Sequence, residues 1–252
     1  MIRIRTDEPD YSHLEDRDYS WKYTSYAGAK EEVPKDAPKP KGKRVILTSF
    51  VDANLQHDLI SGKSVTACLH FFNKTPIDWW TKLQSTVETA TFGSEYVAAR
   101  TCTEQITDLR LTLRYLGVPV EGPSYMFGDN ETVVNTAAVP HGKLQKRHNA
   151  LSFHRTRFAI AAGILYFYHI RGKRNPADIL SKHWDFPSVW PMLKPMLFWR
   201  GDTAQLVEED GDTPLRDLKV DTTLEDAVVL RPNTPAVSIQ ENQEHSSSKD
   251  KD

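Results

Sequence analysis

The sequence predicts an α/β fold built on a mixed five-stranded sheet, an antiparallel meander plus two parallel strands, flanked by helices. Two observations support this prediction. Three strand-like runs follow one another with only short turns between them, which is typical of antiparallel pairing. Two later strand-like runs are each reached through a helical segment, which is the connection that parallel strands require.

The meander begins with a strand at 44–52, because the run 45–51 is filled with β-branched and aromatic residues and has no Gly or Pro. The second and third strands are predicted at 64–72 and 76–81. The segments between them contain Ser61-Gly62-Lys63 and Asn73-Lys74-Thr75-Pro76, which are rich in turn-forming residues.

The second half alternates helices with strands. A helix is predicted over about 88–116, where apolar residues recur at steps of three or four. These residues are Ala98, Cys102, Ile106, Leu109, Leu113 and Leu116. The elements expected after it are a strand at 124–128, a short helix near 130–138, a helix at about 148–162, a strand at 164–170 and a helix at about 175–184.

Composition divides the chain into three parts. Residues 1–43 end in a Pro- and Lys-rich stretch and are expected to form a linker or extended connection. Residues 44–200 carry the periodic segments and are expected to form the folded domain. Residues 201–252 contain 13 Asp and Glu against 5 Lys and Arg, which predicts an acidic, disordered tail.

Composition also excludes several protein classes. The 252 residues, 39% of them hydrophobic, are enough for a proper core. Cys68 and Cys102 fall inside a predicted strand and a predicted helix, so we expect reduced core residues and neither a disulfide nor a zinc site. No apolar run is long enough for a membrane span, and the N-terminus lacks a signal-peptide stretch. We therefore expect an intracellular protein with no membrane partner.

Four acidic residues near the ends of predicted elements form the candidate site. Asp52 closes the first strand, Asp129 follows the fourth, and Asp178 comes shortly after the fifth. Glu95 lies on the core-facing stripe of the long helix, where an unpaired charge is unfavourable.

Each aspartate also has a purely structural interpretation. Asp52 could end its strand in an Asx turn. Asp129 could cap the following helix. Asp178 could belong to a helix start in which Asn175 is the cap and Pro176 the first residue. Convergence on one metal site is the reason that all four acids would share.

Charge points to a polyanionic ligand. Residues 43–200 contain 19 Lys and Arg against 12 Asp and Glu. Basic residues cluster in two places, Lys143 to Arg157 and Arg171 to Arg174. A basic domain around an acidic metal cluster fits nucleic acid held by its phosphates, and an ordinary solvated surface is the alternative.

Residues 44–184 contain an ordered series of short motifs. These are Phe50-Val51-Asp52-Ala53-Asn54, Gly62-Lys63-Ser64-Val65-Thr66, Gln84-Ser85-Thr86-Val87-Glu88, Gly93-Ser94-Glu95-Tyr96-Val97-Ala98, Gly128-Asp129-Asn130 and Asn175-Pro176-Ala177-Asp178-Ile179-Leu180-Ser181-Lys182. In this order they resemble the ribonuclease H domain of copia-type LTR retrotransposon polyproteins. The resemblance implies a ribonuclease H-like fold. It also implies that residues 1–43 resemble the connection that follows a reverse transcriptase.

The same resemblance implies a two-metal endonuclease that cleaves the RNA strand of RNA/DNA hybrids during retrotransposon reverse transcription. Asp52, Glu95, Asp129 and Asp178 correspond to its metal-binding carboxylates, with two Mg²⁺ ions expected and Mn²⁺ a possible substitute. Asp52 and Asp129 would be shared ligands, with Glu95 near the leaving group and Asp178 near the attacking water. A reverse transcriptase domain of a polyprotein is a possible partner, in the cytoplasm or in virus-like particles.

Some features depart from related enzymes. Ala53 replaces the second Asp of the polymerase motif, so this chain is not expected to polymerise DNA. The stretch 171–174 lacks the mobile His that cellular ribonucleases H carry before the last Asp. The scattered histidines are interpreted as surface or core residues. The tryptophans, including Trp79, Trp80 and Trp184, are interpreted as core or staple residues, and base-stacking platforms are the alternative.

Candidate phosphate and groove contacts are Asn54, Thr89, Asn130, Lys146 and Arg147. Two further hypotheses stay open. One is a catalytically inactive nucleic-acid-binding module or transposon remnant of the same fold. The other, which the motif order favours less, is a resolvase- or transposase-type nuclease.

Overall fold

The computed structural model describes residues 8–144, 147–193 and 196. In this part of the chain the sheet consists of β1 (Leu47–Asp58), β2 (Lys63–Phe72), β3 (Thr75–Leu83), β4 (Ser124–Gly128) and β5 (Leu165–His169). The strand order is β3-β2-β1-β4-β5. β2 pairs antiparallel with β1 and β3, whereas β4 pairs parallel with β1 and β5. The predicted mixed five-stranded sheet is confirmed, and its order and directions are those of the ribonuclease H-like fold.

The helices are α1 (Lys22–Ser25), α2 (Thr91–Tyr115), α3 (Glu131–Ala138), α4 (Ala150–Ala161), α5 (Asp178–Ser181) and α6 (Phe186–Leu193). α2 packs on β1 and β2, and α4 packs on α2. The small residues Ala98 and Cys102 let α2 lie close to the sheet, and both are fully buried. Ile106 is fully buried as well, and burial of such a side chain contributes about 2 kcal/mol.

β1 is longer than the predicted strand 44–52. It begins at Leu47 and continues to Asp58, because it stays paired with β2 after its parallel partner β4 ends at Gly128. The register shifts between Asn54 and Asp58. The expectation that Asp52 closes the strand is therefore wrong. Asp52 lies inside β1, one residue past Val51, the last residue paired with β4.

The predicted helix 175–184 is also different in the structure. α5 spans only Asp178–Ser181, and the backbone at Lys182 is extended. Asn175 Oδ1 accepts a hydrogen bond from the Ala177 amide at 3.2 Å, so Asn175 and Pro176 form a turn before the helix rather than its first residues. The other predicted elements agree with the structure within a few residues at each end.

The N-terminal segment 8–42 packs against the domain. The Trp21 indole is 4% exposed, and its Nε1 donates to the Ala138 carbonyl at 3.0 Å. Tyr11 Oη and Thr48 Oγ1 are 2.6 Å apart and share a hydrogen bond. The role of residues 1–43 as a polyprotein connection stays a prediction, but side chains of this segment take part in the hydrophobic core.

Both cysteines are buried and free, as the sequence predicts. Among the described residues, no helix combines the length and the apolar character that a membrane span needs. The predicted tail at 201–252 lies outside the described residues.

Candidate metal centre

Three of the four predicted acids come together at one edge of the sheet. Asp52 lies within β1, Asp129 directly follows β4, and Asp178 begins α5. One carboxylate oxygen from each lies within 4.8 Å of the others. Within residues 8–144, 147–193 and 196, this is the one group of three or more acidic, His or Cys side chains with that spacing.

The local structure explains why these three residues meet. β1 and β4 are parallel neighbours, and the pair Val51 and Gly128 places the following residues, Asp52 and Asp129, at the same edge. The loop before α5 is tied to this edge because Asn175 Nδ2 donates to the Val51 carbonyl at 2.9 Å. Asn175 is 1% exposed, so the hydrogen bond is shielded from water and holds Asp178 beside the strand ends.

Glu95 lies near the three aspartates but outside their compact group. It belongs to the second turn of α2 and is 6% exposed. Burial raises its pKa well above the ordinary value, and the charges of Asp52 and Asp129 raise it further. A hydrogen bond from the Ala53 backbone amide acts in the opposite direction. The carboxylate therefore faces the other acids from the helix side of β1.

The aspartates are also held in an unfavourable electrostatic state. Burial raises the pKa of Asp52 to about 6, and the charges of Asp178 and Asp129 contribute to that rise. A hydrogen bond from Ser181 Oγ to Asp52 Oδ2 opposes it. The pKa of Asp129 is raised as well, by burial and then by the charge of Asp178. The negative charge of the cluster is therefore only partly compensated.

Lys182 supplies part of the compensating charge, and the sequence analysis missed it as a site residue. Its Nζ lies 2.7 Å from Asp178 Oδ1 and 4.0 Å from Asp52 Oδ2. The available signal was the spacing of four residues between Asp178 and Lys182, which is typical of an ion pair on a helix. Ser181, whose hydroxyl donates to Asp52, was missed as well, because a serine in a helix carries no sequence signal of its partner.

The donor set fits a divalent cation. It consists of carboxylate oxygens, the ligands that Mg²⁺ prefers. Their separation lets one ion contact several of them, and the raised pKa values of Asp52 and Asp129 indicate that negative charge here is poorly compensated. A cation would lower those pKa values by favouring the ionised carboxylates.

The predicted nucleic-acid contacts have varied surroundings. Asn54 Nδ2 is within 3.1 Å of the Ser181 carbonyl and 3.0 Å of His57 Nδ1, so its amide braces β1 against α5. Asn130 Oδ1 caps α3 by accepting from the Val133 amide at 3.2 Å. Thr89 and Arg147 are exposed, and Lys146 lies outside the described residues. Their contacts with nucleic acid stay predictions.

Two aromatic side chains that were interpreted as core or surface residues touch the site. Trp184 Nε1 donates to the Asp178 carbonyl at 2.9 Å. A ring nitrogen of His169 lies 3.1 Å from the Asp129 carbonyl. Of the pair in β3, Trp80 packs against the core, whereas Trp79 is 60% exposed and is not a core residue. Trp79 belongs to β3, which is an edge strand of the sheet.

Comparison with curated proteins gives one similarity. The chain is 27% identical over 141 residues to the retrovirus-related Pol polyprotein from transposon TNT 1-94 of Nicotiana tabacum. The match covers 56% of this chain and 10% of the polyprotein, so the chain spans about a tenth of the relative's length. No protein-family model matches. The resemblance to a retrotransposon polyprotein is confirmed, and its assignment to the copia type stays a prediction.

Comparison with solved structures finds ribonucleases H. The N-terminal RNase H domain of a Mycobacterium tuberculosis protein matches with a TM-score of 0.42 and 12% identity, covering 54% of this chain and 91% of that chain. RNase H1 from Halobacterium salinarum matches with a TM-score of 0.40 and 13% identity, covering 55% of this chain and 94% of that chain. LC11-RNase H1 in complex with an RNA/DNA hybrid matches with a TM-score of 0.41 and 17% identity, covering 54% of this chain and 92% of that chain.

Proposed function

We propose that this chain is a ribonuclease H-type endonuclease that cuts the RNA strand of RNA/DNA hybrids with two divalent cations. The observation that carries the proposal is the group of three aspartates within 4.8 Å of one another on a ribonuclease H-like sheet. The buried Glu95 faces the same group. Similarity to a retrotransposon Pol polyprotein supports the same function.

The chain's own residues would hold the cations and keep the site rigid. Asp52 and Asp129 would be shared ligands, Glu95 would lie on the leaving-group side, and Asp178 on the side of the attacking water. When bound, the two Mg²⁺ or Mn²⁺ ions would supply the charge that activates water and stabilises the leaving 3′ oxygen. The hydrogen bond from Asn175 to the Val51 carbonyl of β1 would fix the distance between Asp178 and the other ligands.

Selection of the hybrid would depend on backbone chemistry. A nuclease that acts on any sequence has to recognise 2′-hydroxyls and helix shape. The exposed cations Arg171, Lys173 and Arg174 lie in the loop between β5 and α5, close in sequence to Asp178. We expect them, together with Arg147, to contact phosphates, and the affinity for the hybrid to fall with salt concentration.

The test is cleavage of a labelled RNA/DNA hybrid by the purified chain with Mg²⁺ or Mn²⁺, beside duplex DNA and duplex RNA. We expect cutting of the RNA strand of the hybrid alone. Asp129→Asn should abolish cleavage. The matched control is Asp108→Asn, because Asp108 is an exposed acid on α2, about 20 Å along the helix from Glu95. It should cleave as the wild type does.

The same assay separates the alternative function. A folded wild-type chain that binds the hybrid in EDTA but never cleaves it would be a binding module or a transposon remnant. Equal cleavage of duplex DNA would contradict the proposed specificity and favour a nuclease of the resolvase or transposase type.

A further inference from the structure

Lys182 occupies an unusual place for a lysine, inside the group of predicted metal ligands. Its ammonium donates a hydrogen bond of 2.7 Å to Asp178 Oδ1 and also lies 4.0 Å from Asp52 Oδ2. Among the ion pairs of the described residues, it is the cation that the predicted ligands share. The function proposed above gives this lysine no role.

We propose that Lys182 is a tethered cation that occupies the Asp178 side of the cluster and competes there with a divalent ion. The proposal rests on the proposed cation site. Lys182 would act through the carboxylates, so it is a positioning residue. It would keep Asp178 in place before a divalent ion binds and would weaken the ion position that uses Asp178.

The competition follows from the geometry. The ammonium hydrogen-bonds to Asp178 Oδ1, so a divalent ion that binds this oxygen has either to lie beside Nζ or to displace it. Two positive charges in contact with one carboxylate also repel each other. The cation position that uses Asp178 is therefore expected to be weaker than the one formed by Asp52, Asp129 and Glu95.

The lysine has room to leave. Its side chain is 41% exposed, whereas the side chain of Asp178 is 13% exposed and that of Asp52 is 2% exposed. Lys182 directly follows α5 on an extended backbone, so its four-carbon side chain can turn into solvent without unwinding the helix. The carboxylates stay in place while the ammonium moves.

The test is a titration of the full chain with Mn²⁺ in the absence of nucleic acid, at neutral pH and constant ionic strength. The electron paramagnetic resonance signal of free Mn²⁺ measures how much of the ion is bound. We expect Lys182→Met to bind the weaker Mn²⁺ ion about twofold to fivefold more tightly than the wild type, which is the upper part of the range for a partly exposed ion pair. Lys182→Gln, a second neutral variant, should behave in the same way.

Two controls separate competition from a general charge effect. Lys182→Arg keeps the cation and should bind Mn²⁺ with nearly wild-type affinity. Lys41→Met removes one positive charge from an exposed residue beside Gly117, at the other end of α2 from Glu95, and should change nothing. Melting in EDTA adds a second measurement, in which the two neutral variants should unfold at a lower temperature because repulsion among the carboxylates grows.

The outcomes distinguish the two proposals. Equal Mn²⁺ affinity in the wild type, Lys182→Met and Lys182→Gln would overturn competition by Lys182 and leave the cation site standing. A folded wild type that binds no Mn²⁺ would overturn both proposals, because the site on which both rest would be absent. Tighter binding in the neutral variants alone would support the role of Lys182.

Discussion

Two groups of buried charged side chains lie near the two ends of α2, and they are compensated in opposite ways. Near the C-terminal end, the Glu31 carboxylate accepts hydrogen bonds from Arg110 at 2.7 and 2.8 Å and from Arg114 at 2.5 and 2.7 Å. Near the N-terminal end, Glu95 faces the three aspartates. One anion meets two cations in the first group, whereas four acids share Lys182 in the second.

The pKa values of the two groups differ accordingly. Burial acts to raise the pKa of Glu31, but the two guanidinium groups outweigh it and lower that pKa to about 2. Burial also raises the pKa of Asp52, and there the neighbouring acids leave it at about 6. The two arginines therefore offset the cost of burying the Glu31 charge, whereas the cost of burying the Asp52 charge is not offset.

The difference shows what each group contributes. The Glu31 group links the N-terminal segment to α2, and both arginines belong to the folded domain. The carboxylate group keeps a repulsion that a divalent cation would relieve. Perturbed pKa values of this kind are concentrated at functional sites. The following predictions test the contrast, from the largest expected effect to the smallest.

Substitution Glu31→Gln should have the largest effect on stability. It would leave Arg110, whose side chain is 2% exposed, without an anionic partner, because the Gln amide oxygen and Ser124 Oγ at 3.0 Å are neutral acceptors. We expect the free energy of unfolding to fall by about 3 kcal/mol, measured by urea denaturation. The matched control Glu8→Gln breaks an exposed pair with Arg44 and should show no measurable change. Equal effects of the two substitutions would contradict the role of Glu31.

Addition of Mg²⁺ should raise the free energy of unfolding by nearly as much. A ligand at 100 times its dissociation constant stabilises the state that binds it by about 2.7 kcal/mol. Melting with Mg²⁺ and with EDTA measures this difference. Glu31→Gln should keep the full Mg²⁺ increment, because its side chain belongs to the other group, whereas Asp129→Asn should lose it. An increment that survives in Asp129→Asn would place the ion elsewhere.

Substitution Asp52→Asn should stabilise the metal-free protein, the opposite of what Glu31→Gln does. It removes a buried charge that neighbouring acids repel, and the amide oxygen can still accept the hydrogen bond from Ser181. We expect a gain of about 1 kcal/mol in EDTA by urea denaturation. Asp108→Asn should leave stability unchanged. A loss of stability in Asp52→Asn would mean that the charge of Asp52 is compensated in the wild-type protein.

Most of the fold was predictable from the sequence, because apolar periodicity and turn residues report directly on strands and helices. The end of β1 was not predictable, since Asn54, Gln56 and His57 are polar and this part of the strand runs alongside β2 alone, with a register shift between Asn54 and Asp58. The packing of residues 8–42 was missed for a similar reason. Trp21 becomes buried through partners far away in the sequence, such as Ala138.

The site was predictable in part. The convergence of Asp52, Asp129 and Asp178 agrees with the expectation, because parallel strand ends meet at one edge of a sheet. The environment of each carboxylate was not predictable. Whether an acid meets a lysine, as Asp178 does, or two arginines, as Glu31 does, depends on three-dimensional neighbours that no local pattern specifies.

The smallest expected effect is on the shape of the stability profile with pH in EDTA. The folded-state pKa of Glu31 lies below its usual value of 4.5, so its stabilisation is present above that pH and is lost as the pH falls towards 2. The folded-state pKa of Asp52 lies above its usual value of 3.8, so its contribution decreases as the pH rises from there to about 6. We therefore expect the free energy of unfolding of the wild type to decline between pH 3.8 and about 6. This decline should be shallower in Asp52→Asn and unchanged in Glu31→Gln. Parallel curves for the wild type and Asp52→Asn would show that the Asp52 carboxyl titrates alike in the folded and unfolded chain, and the contrast between the two groups would then rest on the other acids.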